Sequence, residues 1–258
     1  MSLDPTLRSI GAEFSGTREV VTRSRSDNRA LLVGMSYYVD TSLRDLTGVE
    51  RDVEELTRVL EENADGTPNF EVTPLVSTYE RPLTADLLLR ELDLLIDEVE
   101  DNHLLFYFSG HGIVGPYGFQ LATAEKSGAF DSGIHFDVLL HRFNQMRGAV
   151  TVILDCCYSG AAGDRNVVFD GRSLVMTYIR EDVTILASST RNQRALLEDG
   201  ELSDYTAAVV EALQGGGAAG QGVEVDALQV HSHARAKLVG QTPVVRLFGS
   251  AQHCLRRS

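Results

Sequence analysis

Two hydrophobic periods alternate along this chain. Short continuous apolar runs, rich in β-branched and aromatic residues, are "ALLVGM" (Ala30 to Met35), "FEVTPLV" (Phe70 to Val76), "LLFYFS" (Leu104 to Ser109), "VTVILD" (Val150 to Asp155), "VTILAS" (Val183 to Ser188) and "PVVRLF" (Pro243 to Phe248). Runs of this length and composition predict strands buried on both faces. Between them the apolar residues fall at helical spacing. In "GVERDVEELTRVLEEN", Val49, Val53, Leu56 and Leu60 share one face, and "TADLLLRELDLLIDEVED" opens on Thr84 as its N-cap. Further helices are predicted in "FDVLLHRFNQM", "DYTAAVVEAL" and "VDALQVHSHARAKL". Strands alternating with helices make an α/β protein with a mainly parallel sheet covered on both faces.

Residues 1–28 read as an N-terminal arm, 29–250 as one domain and 251–258 as a C-terminal tail. Within the domain, the connection from Tyr158 to Asp182 is unusually long, and "GGGAAGQG" from Gly215 links two late helices. The sequence has no signal-peptide stretch and no run of ~20 apolar residues, so no membrane role is expected. A formal charge of −14 and a pI near 4.9 argue against non-specific nucleic-acid binding, which needs basic surface. Three cysteines, two of them adjacent, cannot make a disulfide framework and fit a reducing, cytoplasmic setting. There is neither a P-loop nor a dinucleotide-binding glycine pattern. The histidines His103, His135, His141, His231, His233 and His253 show no metal-ligand spacing.

The candidate chemistry lies where two strands stop. In parallel sheets, ligand and catalytic groups gather beyond the carboxyl ends of the strands. "LLFYFS" runs into Gly110, His111 and Gly112, and "VTVILD" into Cys156 and Cys157. If these strands are neighbours, an imidazole and a thiol face one cleft. His111 is suited to take the proton of Cys157, and the backbone N–H groups of Gly112 and Cys157 are placed to form an oxyanion hole. Cys156, one residue away, points oppositely and reads as an apolar neighbour. A redox pair of Cys156 with Cys157 is the alternative, and Cys254 reads as incidental.

"FYFSGHG" and "DCCYSG" resemble the two signatures of caspase-like cysteine peptidases, specifically the bacterial metacaspase-like (orthocaspase) branch. His111 stands 46 residues before Cys157, close to the caspase spacing. The segments "ALLVGMSYY", "LTGVERDV", "VTILASST" and "GQTPVVRLF" extend the likeness from Ala30 to about Phe248. The resemblance implies a three-layer sandwich around a six-stranded, mainly parallel sheet. It implies a large-subunit part to about residue 160, the connecting loop 158–182 and a small-subunit part 183–250.

The resemblance also implies an endopeptidase that cuts after arginine or lysine, because Asp155 stands where caspases have glutamine. Asp52, from the pattern L-x-G-x-x-x-D, becomes the second carboxylate of the substrate pocket and Ser109 its wall. Residues two apart on an extended chain share a face, which places Asp155 beside Cys157. Read without the family, the alternative is that Asp155 caps the helix or turn after its strand and that Asp52 is an exposed carboxylate near a helix N-terminus. Cleavage at Arg165, Arg172 or Arg180 would mature the enzyme, by itself or by an upstream protease. Many relatives bind calcium, and Asp131, Asp137 and Asp164 lie in comparable regions, but the usual acidic cluster is thinned, so no cofactor is expected and calcium is the one candidate. The family context is signalling, stress or defence proteolysis. The rival reading is a catalytically silent scaffold that keeps the fold for interaction.

Overall fold

The computed structural model describes residues 26–115, 118–125, 133–156, 179–188, 201–215, 223–249 and 253–257. Its centre is a six-stranded sheet. The strands are β1 (Arg29–Met35), β2 (Glu71–Ser77), β3 (Leu104–Gly110), β7 (Val150–Cys156), β8 (Val183–Ala187) and β10 (Val244–Phe248). They run in the order β10-β8-β7-β3-β1-β2, all parallel except β10. These are the six apolar runs of the sequence. Every residue of β1, β3 and β7 is buried, which is why these segments show no period-2 alternation.

Helices cover both faces. On one lie α2 (Ala85–Val99) and α3 (Phe136–Phe143), whose Leu88, Leu92 and Phe143 pack on Leu31, Val33, Phe106 and Val152. On the other, α1 (Val49–Glu61), α4 (Asp204–Leu213) and α5 (Ala227–Lys237) place Leu56, Val209 and Val230 on Leu32, Leu105 and Ile153. This is the three-layer sandwich with a mainly parallel six-stranded sheet expected from the sequence. The Thr84 hydroxyl caps α2 by accepting from the Leu87 N–H at 3.3 Å. Asp226 and Gln229 close a reciprocal capping box on α5.

Gly34 sets how closely α1 approaches the sheet. A Cβ there would stand 2.9 Å from Val49 Cγ1 and from Val53 Cγ2. Only a residue without a side chain lets the first turns of this helix lie on β1.

Two small sheets are absent from the sequence reading. Strands β4 (Gly112–Gly115), β5 (Gly118–Ala122) and β6 (Gly133–His135) form an antiparallel trio directly after His111. At the opposite end, β9 (Glu224–Asp226) pairs with β11 (Cys254–Arg257), which lies within the stretch expected to be a tail. β11 is secured there: Asn69 Nδ2 donates to the Leu255 carbonyl at 2.8 Å, the Arg257 N–H donates to Asn63 Oδ1 at 2.9 Å, and Leu255 is fully buried. His103 supports this end, with its ring near those of Phe70 and His253 and Nε2 2.9 Å from Thr151 Oγ1. Burial pushes the His103 pKa down to about 3, so it is a neutral packing residue. Among the described residues no helix is long and apolar enough to cross a membrane.

Candidate active site

Three central strands finish level with one another. In register, Gly34 lies beside Ser109, Ser109 beside Asp155, and Gly110 beside Cys156. His111 and Cys157 therefore each follow directly on one register pair. Cys157 itself lies outside the described residues, as do Arg165, Arg172, Asp131 and Asp164.

Strand alternation sorts the side chains at this rim. Cys156 joins Leu154 and Val152 in the core beneath α2 and α3, with its side chain buried. Asp155 and Ser109 emerge on the opposite face, under α1 and α4. There Asp52, from the first turn of α1, meets them: Ser109 Oγ donates to Asp52 Oδ2 at 3.2 Å. Asp52, Asp155 and Ser109, drawn from three separate elements, thus gather in one buried cluster.

The N-terminus of α4 completes the cluster, and the sequence reading missed it. The Ser203 N–H donates to Asp52 Oδ1 at 2.9 Å, while its hydroxyl donates to Asp155 Oδ2 and accepts from the Thr206 N–H at 3.0 Å. Thr206 Oγ1 also donates to Asp155 Oδ2 at 3.0 Å and lies 2.7 Å from the Tyr107 hydroxyl. One helix N-cap thereby holds both carboxylates. The only signal in the sequence was a serine ahead of an apolar helix, which predicts a cap and not what the cap serves.

Asp155 Oδ1 is buried with no hydrogen-bond partner among the described residues. Burial, and then the charge of Asp155, raise the Asp52 pKa to about 8; burial likewise raises that of Asp155. Two desolvated carboxylates so close cannot both ionise unless a cation joins them. Such a site suits a guanidinium or ammonium, which would supply the missing donors.

His111 sits where β3 gives way to β4. Its backbone N–H donates to the Tyr38 hydroxyl at 2.8 Å, and its ring centre lies 5.0 Å from that of Tyr38. Nε2 lies 2.7 Å from the Arg44 carbonyl oxygen. Since a carbonyl only accepts, Nε2 carries the proton and Nδ1 is left as the basic nitrogen. Burial lowers the pKa of this imidazole, so at neutral pH it is uncharged and ready to accept a proton. The glycine before it is required by space: a Cβ on Gly110 would meet Met35 Cβ and the Tyr38 hydroxyl at 2.9 Å. Gly112 is buried as the first residue of β4.

Arg180 stands elsewhere, at the far end of the sheet. Its guanidinium donates to the carbonyls of Phe143, Gly148 and Glu181, and its N–H to Asn144 Oδ1. Cleavage after this residue would have to release all four contacts. Among the described residues no three histidine, cysteine, aspartate or glutamate side chains gather to hold a metal ion, and Asp137 lies in the first turn of α3.

Residues 27–253 match a family model described as the caspase domain. No curated protein matches the chain. Among solved structures, caspase-1 of Spodoptera frugiperda is 16% identical and superposes with a TM-score of 0.64, covering 90% of this chain and 91% of its own. A protein of Geobacter sulfurreducens is 15% identical, with a TM-score of 0.62 and coverage of 90% and 97%. At this identity the structural likeness concerns the fold, whereas the family match spans nearly the whole chain.

Proposed function

The chain belongs to the caspase family of cysteine peptidases, and from that premise we propose that it is a metacaspase-like endopeptidase cleaving proteins after arginine or lysine. The observation that carries this reading is the meeting of Asp52, Asp155 and Ser109 in one buried cluster at the rim where His111 stands. A caspase-type preference for aspartate needs a basic pocket. Here the groups at the corresponding rim are acidic, and among the described residues Asp155 Oδ1 has no hydrogen-bond partner within bonding geometry, with only the Ser188 side chain near enough to favour its charge.

In the proposed reaction the Cys157 thiol gives its proton to His111 Nδ1, and the thiolate attacks the carbonyl carbon after the basic residue. The negative charge that develops on oxygen is met by the N–H groups of Gly112 and Cys157. The C–N bond then breaks, the proton passes from His111 to the departing amine, and a thioester remains. Water, deprotonated by the same imidazole, attacks the thioester and frees the thiol and the new carboxylate. The Arg44 carbonyl keeps the proton on Nε2 and the ring in one orientation while Nδ1 takes up and returns its proton. No step is routed through calcium. Maturation by cutting after Arg165 or Arg172 fits this preference, since the enzyme would recognise its own connecting segment. Cysteine usage fits action in a reducing compartment.

The test is a panel of fluorogenic peptides ending in Arg, Lys or Asp. Turnover is expected with Arg and Lys, none with Asp, and none in Cys157→Ala with an unchanged thermal melt. Hydrolysis of the Asp peptide alone would remove the specificity claim. No hydrolysis, together with no modification of Cys157 by an arginyl electrophile, would make the domain a silent scaffold.

A further inference from the structure

A second acidic feature lies on the flank of the molecule. Among the described residues β2 is the outermost strand of the main sheet, bordered on one side only, by β1. Between its α1-facing side chains and α1 runs an open groove of about 440 Å³. Val53, Pro74 and Val76 form its apolar floor, and Glu50, Glu54 and Glu61 stand along its helical wall. These glutamates repeat at i, i+4 and i+11, so they form one stripe. Glu50 accepts weakly from Ser36 Oγ at 3.3 Å. The Glu54 and Glu61 carboxylates make no ion pair or hydrogen bond among the described residues. Among the described residues that line the groove, Arg58 is the one cation, and Glu55 already holds it at 2.9 Å.

The strand edge adds direction. Pro74 is register partner of Leu32 within a parallel pair. Lacking an N–H, proline belongs on the open side of an edge strand. The alternate residues Val72 and Val76 then turn their N–H and C=O groups outward with it. The wall from Glu50 to Glu61 extends about 16 Å, the span of roughly five extended residues.

We propose that this groove docks an extended basic segment of a partner protein, added as a strand along β2. Alternate arginine or lysine side chains lay their aliphatic stems over Pro74 and Val76 and set their charged heads against Glu54 and Glu61. Charge complementarity and the open strand edge favour this occupant, whether or not the domain is a peptidase. The site is separate from the buried acidic pair, because Asp52 turns inward from the same helix while Glu50 and Glu54 turn outward.

The experiment uses the full chain carrying Cys157→Ala and a fluorescein-labelled decapeptide of alternating arginine and threonine. Saturable binding by anisotropy is expected, with slowed hydrogen exchange over residues 72–78. Glu54→Lys with Glu61→Lys, both exposed, should weaken it about tenfold or more with an unchanged melt, and the glutamate–threonine decapeptide should not bind. Full affinity should persist with Asp52→Asn added. Equal binding by the lysine variant, loss of binding with Asp52→Asn, or absence of protection at residues 72–78 each overturns the proposal. Binding seen only when Arg18, Arg23 and Arg25 are changed to Glu would make the chain's own leading segment the occupant, and the separate partner would fall.

Discussion

At the residue scale, the acidic pair is in tension with its own burial. Asp52 ionises near pH 4 in an unfolded chain but at about pH 8 in the fold. Below pH 4 both states hold the proton. Between pH 4 and 8 the unfolded chain releases it and the native one does not, so this contribution to stability declines across that window and levels off above pH 8. Asp52→Asn removes the penalty while still accepting from the Ser203 N–H and donating to Ser109 Oγ. We expect its melting temperature to exceed that of the wild type by a few degrees at pH 8 and to equal it near pH 4. The same change should raise KM for arginyl peptides by about 10–100-fold, as a charge-assisted bond to the substrate is lost. It should also abolish the fall in wild-type KM as pH approaches 8. His111, Asp52, Asp155 and Ser109 were legible because each sits in a short pattern at a strand or helix end. Ser203, Thr206 and Tyr107 were not, since hydroxyl residues are common and their contacts join positions 48 to 151 residues apart.

At the scale of elements, the site depends on how closely α1 can press on β1. Gly34→Ala would put a Cβ 2.9 Å from two valine methyls, and β-branched side chains on a helix have little rotameric freedom to yield. The expected cost is about 1–3 kcal/mol, measured by denaturant unfolding. Because Asp52 adjoins Val53, KM for arginyl peptides should rise more than kcat falls. The six long strands were readable because burial on both faces makes them continuous apolar runs. The strands β4, β5, β6, β9 and β11 were not: they are three to five residues long, glycine-bounded or charged, and their pairing is decided by what they lie against. The antiparallel turn of β10 was equally invisible, as an apolar run carries no sign of its direction.

For the whole molecule, the two ends of the sheet have different tasks. The carboxyl ends of the strands carry the proposed chemistry, while the opposite end is closed by β11. Leu255 is fully buried there, so Leu255→Ala should cost about 2–4 kcal/mol and lower the melting temperature by roughly 5–15 °C, read by calorimetry. Cleavage rate per folded molecule should stay unchanged, since the residue is at the far end from the rim. This closure was hidden from the sequence because "CLRR" offers a single apolar residue, and only its partners Asn63 and Asn69 reveal its place.

The strand order carries a further consequence. β8 lies against β7 along five register pairs, from Val150 with Val183 to Leu154 with Ala187, although the chain between them is the long connection after the cysteines. α4, downstream of that connection, grips both carboxylates from the upstream part. A single cut between residues 157 and 178 would thus leave two fragments stitched through a shared sheet, a common core and the acidic cluster itself. Such a nick would alter what the connecting segment can reach without setting the pieces adrift.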